Sequence, residues 1–573
     1  MACSKIFLGD LPDLLYKIIQ YFRSDFSTLH SCILVNRLWC RLTIPLLWEN
    51  PFSIISNKNN YSIKYNFIVT YLVKLNDNDK IKLYEFGINN LSTNILFKFP
   101  CFIKHLDTRL ISICIERWAA AVKKIETLPY TFIRNLPNIE SRAAALKKNR
   151  TLRNSQNSDF IKFIYKSLIK IFIENEAIIH TFDVSICYKP IDVIPKLILQ
   201  SSNFVRNIKN LHLRSSSLKI NNINPLLKFL SSNCSSISSL FIPSFKGTSS
   251  STAIEYLSQS SQLIKSQKNL SKILFFYDFP YSTLLNSNCL NTLNTIILCN
   301  IDFKNMNFLN EVFEQLNVLE SIHIIDCRSL DFNFLQQITN LTKPFKLKSL
   351  FVNNTFESIE LLLQKSGDYL ENFGFESFNL FDDEPESQLF ELITKYCKKI
   401  EFFELCEFNS QNIYPTFNLI KNIQQNLNYL TIDLDYDFGK YFYNNIAKIS
   451  SNILQNLGQI LPPKLEYLNM SLVMNTNDFV IFLKKSQNTF IKKLLFKDDG
   501  IQDKTGKDDM LHYTKEYIMR KERVKYFAFR FYTNKWDELY DLEDEVKEFS
   551  LHNIVVQNYN DLKIGKFKRI LEE

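Results

Sequence analysis

Glycine is scarce here, ten residues in 573. Turns must come largely from other residues. Asn and Ser are abundant enough to supply them, because Asn tolerates left-handed dihedrals. The twelve cysteines are scattered and include no C-x-x-C pair. That excludes a zinc ribbon or a thioredoxin-like redox pair at the level of motif. His30, His105, His180, His212, His323, His512 and His552 are spread widely, with no H-x-x-x-H pair. No metal site and no cofactor are expected. No stretch reaches about 18 uncharged apolar residues, so no membrane span is expected. The opening "MACSKIFLGDLPD" holds no apolar run long enough for a secretory signal. The thiols therefore read as reduced, and the chain as cytoplasmic, nuclear or both, and not secreted. Charge of one sign is not concentrated either. The net charge is +9, from 68 basic and 59 acidic residues interspersed along the chain. A nucleic-acid surface would more often show a clustered basic stripe, so nucleic acid is not an expected partner.

Two stretches imitate functional loops and fail. "GIQDKTGKDD" has its glycines one residue too far apart for a phosphate-binding loop. Asp508 also stands where Ser or Thr would hold magnesium. "NDNDKIKLYEF" has spaced acids but no Gly at the sharp turn of a calcium loop, and reads as a helix start with Asp77 or Asn78 as cap. No catalytic constellation is visible, and the chain is not expected to be an enzyme.

What is present is apolar surface, 46% of residues, in a chain too long for one core. About 150 residues per domain is a reasonable prior, so several domains or a repeat array are expected. In "GDLPDLLYKIIQYF", Leu11, Leu14, Leu15, Ile18, Ile19 and Phe22 recur on one helical face. Asp10 is placed to cap that helix and Pro12 sits in its first turn. A second pattern runs from Leu29 through Cys32, Ile33, Val35, Leu38 and Trp39 to Leu42. A third short helix is expected from Thr43 and Pro45, carrying Leu46, Leu47 and Trp48. A unit this small rarely hides more than about 60% of its surface, so some apolar area needs a partner.

Residues 8–52 resemble an F-box, in the variant of large fungal F-box families. The resemblance is carried by Leu11-Pro12, the aliphatic helix through Ile18 and Phe22, the "LVNRLW" run ending at Trp39, and Leu47-Trp48. One departure is that Asp13 follows Pro12 directly, without the usual spacer. The resemblance implies docking onto a Skp-family adaptor, and through it a cullin. By the same resemblance the adaptor would be touched by Leu11, Pro12, Leu15, Ile18, Leu34, Val35, Trp39 and Trp48.

Residues 53–175 read as a helical connecting region, with a polar loop centred near Lys147. From residue 176 to 500 a pattern apolar-x-x-apolar-x-apolar returns in twelve units, from "IIHTFDV" to "IKKLLF". Their central residues, Phe182 to Leu494, are about 28 apart on average, with spacings from 23 to 38. This is a degenerate leucine-rich-repeat signature. Cys187 and Cys327 occupy the Asn/Cys position of their units. Helical patterns such as "NFLNEVFEQL", "ESIELLLQKSGDYL" and "DFVIFLKKSQNTF" lie between the strands. The expected fold class is α/β, a horseshoe with parallel strands concave and helices convex. An insertion is expected around "YFYNNIAKISSNILQNLGQI". "KDDGIQDKTGKDD" reads as a charged loop, and residues 501–573 as a C-terminal cap.

The middle residue of each strand triplet should face the concave side. His212, Phe241, His323, Phe351, Glu404 and Asn469 are therefore the candidate contacts to an unknown target protein. Helices or the C-terminal tail covering part of this face are the competing expectation. The functional expectation is the substrate-recognition subunit of an SCF-type cullin-RING ubiquitin ligase. The alternative is a leucine-rich-repeat scaffold or sensor, with a helical N-terminal cap and no ligase role.

Overall fold

The computed structural model describes residues 12–23, 25–53, 66–88, 91, 96–122, 158–185, 197–214, 223–243, 251–277, 284–285, 287–305, 309–353, 359–376, 385–406, 410–434, 443–501, 504–532 and 536–572. The fold is α/β. The chain resolves into two compact units. One holds Met1–Ile273 with Asn286–Thr292, and the other holds Leu274–Leu285 with Leu293–Glu573.

The first unit opens with three helices, α1 (Pro12–Gln20), α2 (Phe26–Ile33) and α3 (Arg37–Leu47). The sequence pattern ran the second helix on to Leu42, and this is corrected. It breaks at Leu34–Asn36 because Asn36 caps the next helix, its side chain accepting from the Trp39 amide at 3.0 Å. The third helix does not start at Thr43. It starts at Arg37 and runs through Pro45, which gives up one backbone donor. Leu15, Ile19, Leu29, Cys32, Trp39 and Leu46 close a core inside the bundle, with Phe22, Leu38, Leu42 and Leu47 packed against it. Asp10, expected to cap α1, lies outside the described residues. Further on, a helix at Asp77–Glu85 is capped by Asn76, not by Asp77 or Asn78. The Asn76 side-chain Oδ1 accepts from the Asp79 amide at 2.8 Å.

Strands begin earlier than the pattern indicates. β1 (His105–Asp107) lies in the stretch expected to be helical, and pairs in parallel with β2 (Thr181–Ser185). β3 (Asn210–Arg214) and β4 (Ser239–Pro243) follow in chain order. The helix Thr108–Val122 leaves β1, and residues 158–174 form another. The loop near Lys147 and Cys187 lie outside the described residues. Helices Asn224–Asn233 and Ser251–Ser266 alternate with the strands here. The strand β5 (Lys272–Phe276) falls on the division between the units.

The second unit continues the alternation. Its strands are β6 (Thr295–Cys299), β7 (Ser321–Ile325), β8 (Leu347–Val352), β9 (Asn372–Glu376), β10 (Phe402–Cys406), β11 (Tyr429–Asp433), β12 (Lys464–Leu472), β13 (Phe490–Ile501) and β14 (Val524–Tyr532). Each pairs in parallel with the next. Only the end departs: β15 (Trp536–Glu538) turns antiparallel on β14, and β16 (Val555–Val556) pairs with β14. Strand and helix alternate as in a solenoid, each unit leaning on its neighbours.

The repeat register agrees with the sequence at the paired strands, with one shift. Phe182 faces Leu211, Phe373 faces Phe403, and Leu468 faces Leu494. Between β7 and β8 an irregularity moves Leu350 opposite Ile324 instead of Ile322. The extra residue is Lys348, and past it Ser349 faces His323 and Leu350 faces Ile324, which keeps those side chains on their expected faces. In the five-residue strands positions two and four face the helices, as the ring contact Phe375–Phe390 shows, and Phe496 of the longer β13 does so against Phe479. The long spacing before β12 holds the fifteen-residue helix Tyr443–Leu457. The charged loop expected after Phe496 is instead strand as far as Ile501. Its acids are absorbed: buried Asp498 accepts from the Met474 and Gly500 amides, and Asp499 takes Ser471 and Lys497.

Candidate functional site

Two surfaces carry the sequence candidates. The first is the N-terminal bundle. Leu15 is fully buried and Trp39 nearly so, at 8% exposure. Both were expected to touch a partner. They are corrected to core residues, because three short helices need their largest side chains inside. Trp48 packs against Phe99 and Tyr71 at 4.1 and 5.4 Å between ring centroids, so it is committed to downstream chain of its own unit. Ile18 is half-buried. Pro12 is the first residue of α1, and Leu11 lies outside the described residues.

Leu34 and Val35, also expected as adaptor contacts, are exposed. They sit in the α2–α3 turn at 76% and 50% exposure. Leu14, Tyr16 and Tyr21 of α1 and its end are also exposed. Helical periodicity alone did not separate these outer residues from the inner ones, because Leu14 and Leu15 are adjacent and both apolar.

The bundle is anchored to β1 by one buried carboxylate. Glu49, just past α3, accepts from Arg23 Nη2 at 3.0 Å and pairs with Lys104. Its backbone carbonyl takes the Lys104 and His105 amides at 3.0 and 3.1 Å. A buried charge needs such partners, and here they tie the residues after α1 and α3 to the start of β1.

The second surface is the strand face turned away from the repeat helices. In the first unit His212 and Phe241 lie side by side on it, half-buried, with ring centroids 6.4 Å apart. Arg214 donates to Asp183 at 2.8 Å, and His212 Nδ1 lies 3.3 Å from the same carboxylate. Burial pushes Asp183 up, but the His212 and Arg214 contacts prevail and hold it below the usual carboxylate range.

In the second unit this face is covered. His323 is buried, with Nδ1 2.7 Å from Ser349 Oγ. Phe351 and Asn469 are buried too, and Glu404 Oε2 is buried without a hydrogen-bond partner. These four are corrected from open contacts to covered ones. Over Phe351, Glu404 and Asn469 the cover is the chain's own C-terminal segment, Tyr559–Glu572, which holds two short helices. Tyr559 donates to Asn469 Oδ1 at 2.8 Å, and the Ile564 amide donates to Tyr467 Oη at 3.0 Å. Lys563 pairs with Asp433 at 3.1 Å, and Lys566 with Asp326 at 2.7 Å and Glu376 at 3.9 Å. Arg569 lies 4.6 Å over the Tyr429 ring and 3.6 Å from Glu401. Burial raises Glu404 to about 7 against the pull of Lys566 and Lys563.

The sequence reading missed Tyr559, Lys563, Lys566 and Arg569. The signal was there in "DLKIGKFKRI", where bases recur every third residue among aliphatics, and in the acids at the strand ends.

Among the described residues, no three of His, Cys, Asp and Glu are placed to hold a metal ion. None of the helices described is long and apolar enough to cross a membrane. No family model matches this chain, and no curated protein matches it.

Proposed function

We propose that the chain is the substrate-recognition subunit of an SCF-type cullin-RING ubiquitin ligase. The N-terminal bundle binds the Skp-family adaptor, and a strand face binds a target protein. Ubiquitin transfer then occurs elsewhere in the complex, and this chain supplies no catalytic group. One observation carries the reading. The bundle closes its own core and still leaves Leu14, Leu34, Val35 and Tyr21 in solvent. Exposed apolar side chains on so small a unit support reading it as an interaction surface. With Leu15 and Trp39 inside, the contact falls to these outer residues, joined by Leu11, Pro12 and Ile18 as the F-box resemblance implies. His212 and Phe241 are the target contacts that remain accessible.

The covered strand face of the second unit favours the alternative, a scaffold or sensor whose strands serve its own tail. Co-purification of full-length chain with the adaptor separates the two. Adaptor captured by wild type and lost on Leu34→Asp supports the ligase reading. No capture by a folded wild-type chain leaves the scaffold.

A further inference from the structure

The C-terminal segment is bound in the way a ligand is bound. Its last strand pairing is Val555–Val556 on β14. Beyond Gln557, whose amide still reaches Phe527, the segment runs along the strand face without joining a strand. Lys563, Lys566 and Arg569 recur at intervals of three, and each meets a carboxylate from a different repeat: Asp433, Asp326 and Glu401. In the terminal helix Lys566 and Arg569 share a face with buried Ile570. The sheet thus offers acids at the ends of several neighbouring strands, and each base of the segment meets at least one of them.

Tyr559, Leu562, Ile564 and Ile570 are buried, and the charged contacts are the exchangeable part. The three basic side chains keep 22–37% of their surface exposed, so salt screens their pairing. The fit is also incomplete. Beneath the segment Glu404 Oε2 is buried with no hydrogen bond. A ligand with one more donor at this point would satisfy that atom.

We propose that the acidic strip on the strand face of the second unit is a recognition site for a basic, aliphatic peptide segment of a partner protein, and that residues 558–572 are its resident occupant, displaced when the partner binds. This rests on reading the strand face as the protein-binding surface, and not on the adaptor contact. It specifies the partner's chemistry: three basic residues spaced by three, flanked by aliphatics. An acidic segment would be rejected by the same carboxylates.

The test uses the full-length chain and a fluorescent peptide of residues 558–573. In Lys563→Glu/Lys566→Glu/Arg569→Glu the tail is repelled and the strip is exposed. That variant should bind the peptide saturably, at least tenfold more tightly than wild type does, and lose it in 0.5 M salt. A peptide carrying the same three reversals should not bind. The milder chain Lys563→Gln/Lys566→Gln/Arg569→Gln should behave likewise, with a smaller gain. Failure of either folded variant to bind the wild-type peptide overturns the proposal. So does loss of the folded state in both variants, since the segment is then part of the core. Adaptor capture by the same chains reads the N-terminal bundle separately, so the two readings fail independently.

Discussion

At the scale of single residues, burial separates side chains that the sequence presents as equals. Leu15 and Leu34 are both leucines of the N-terminal bundle, yet one is core and the other solvent-facing. Leu15→Asp places an unpaired carboxylate in an apolar core and should unfold the bundle. Trp39→Ala should cost about 3–5 kcal/mol in denaturant unfolding. Leu34→Asp should stay within about 0.5 kcal/mol of wild type. Glu404 makes a second residue-scale prediction. Its folded pKa of about 7 lies above the ordinary carboxylate value of 4.5. The folded chain therefore holds a proton that the unfolded chain releases. The stability this brings is present below pH 4.5 and is lost as pH rises towards 7. Lys563 and Lys566 oppose the shift, while Asp326, Asp433, Glu376 and Cys406 surround the same pocket of charge. Glu404→Gln removes the titration. The difference in melting temperature between wild type and this variant should grow from pH 5 to pH 8, with the variant the more stable at pH 8. A difference that stays flat would refute the assignment.

At the scale of elements, caps and cross-strand pairs decide what periodicity leaves open. Asn36 ends one helix run and starts the next, so Asn36→Ala should lose about 1 kcal/mol, measured by thermal or chemical unfolding. Gly374 sits beneath the Phe351 ring, and an added Cβ would overlap it. Gly374→Ala should cost about 1–3 kcal/mol in the wild-type background and much less when introduced into Phe351→Ala. The strands and their facing were legible because two-residue alternation repeats at a near-regular spacing. Even the shift at β8 keeps the faces past the extra residue Lys348. Helix boundaries were less legible. Pro45 looked like a start and lies inside a helix, because the donor it lacks is one lost bond in a well-packed turn. Asp498 and Asp499 looked like loop residues because the partners that absorb them, Met474 and Ser471, are more than twenty residues away in sequence.

At the scale of the whole molecule, the N-terminal bundle and the strand face of the second unit are engaged differently by the chain itself. The bundle keeps apolar side chains in solvent, while the strand face holds the tail. The alternation of strand and helix was readable from residue order, because each repeat contacts its neighbours and obeys a local rule. Cover by the tail stood as the competing expectation, but its individual contacts were not legible, since Lys566 meets Asp326 across 240 positions. The bundle's outward residues were half readable: Leu34 and Val35 were among the candidates, and Leu14 and Tyr21 were not.

The most direct measurement of the central claim is the affinity of full-length chain for a purified Skp-family adaptor, by calorimetry, with Leu34→Asp/Val35→Asp alongside. The account predicts saturable one-to-one binding by wild type. It predicts a loss of at least a hundredfold in the double variant, at unchanged melting temperature. An adaptor that ignores folded wild-type chain, or binds both chains equally, would contradict it.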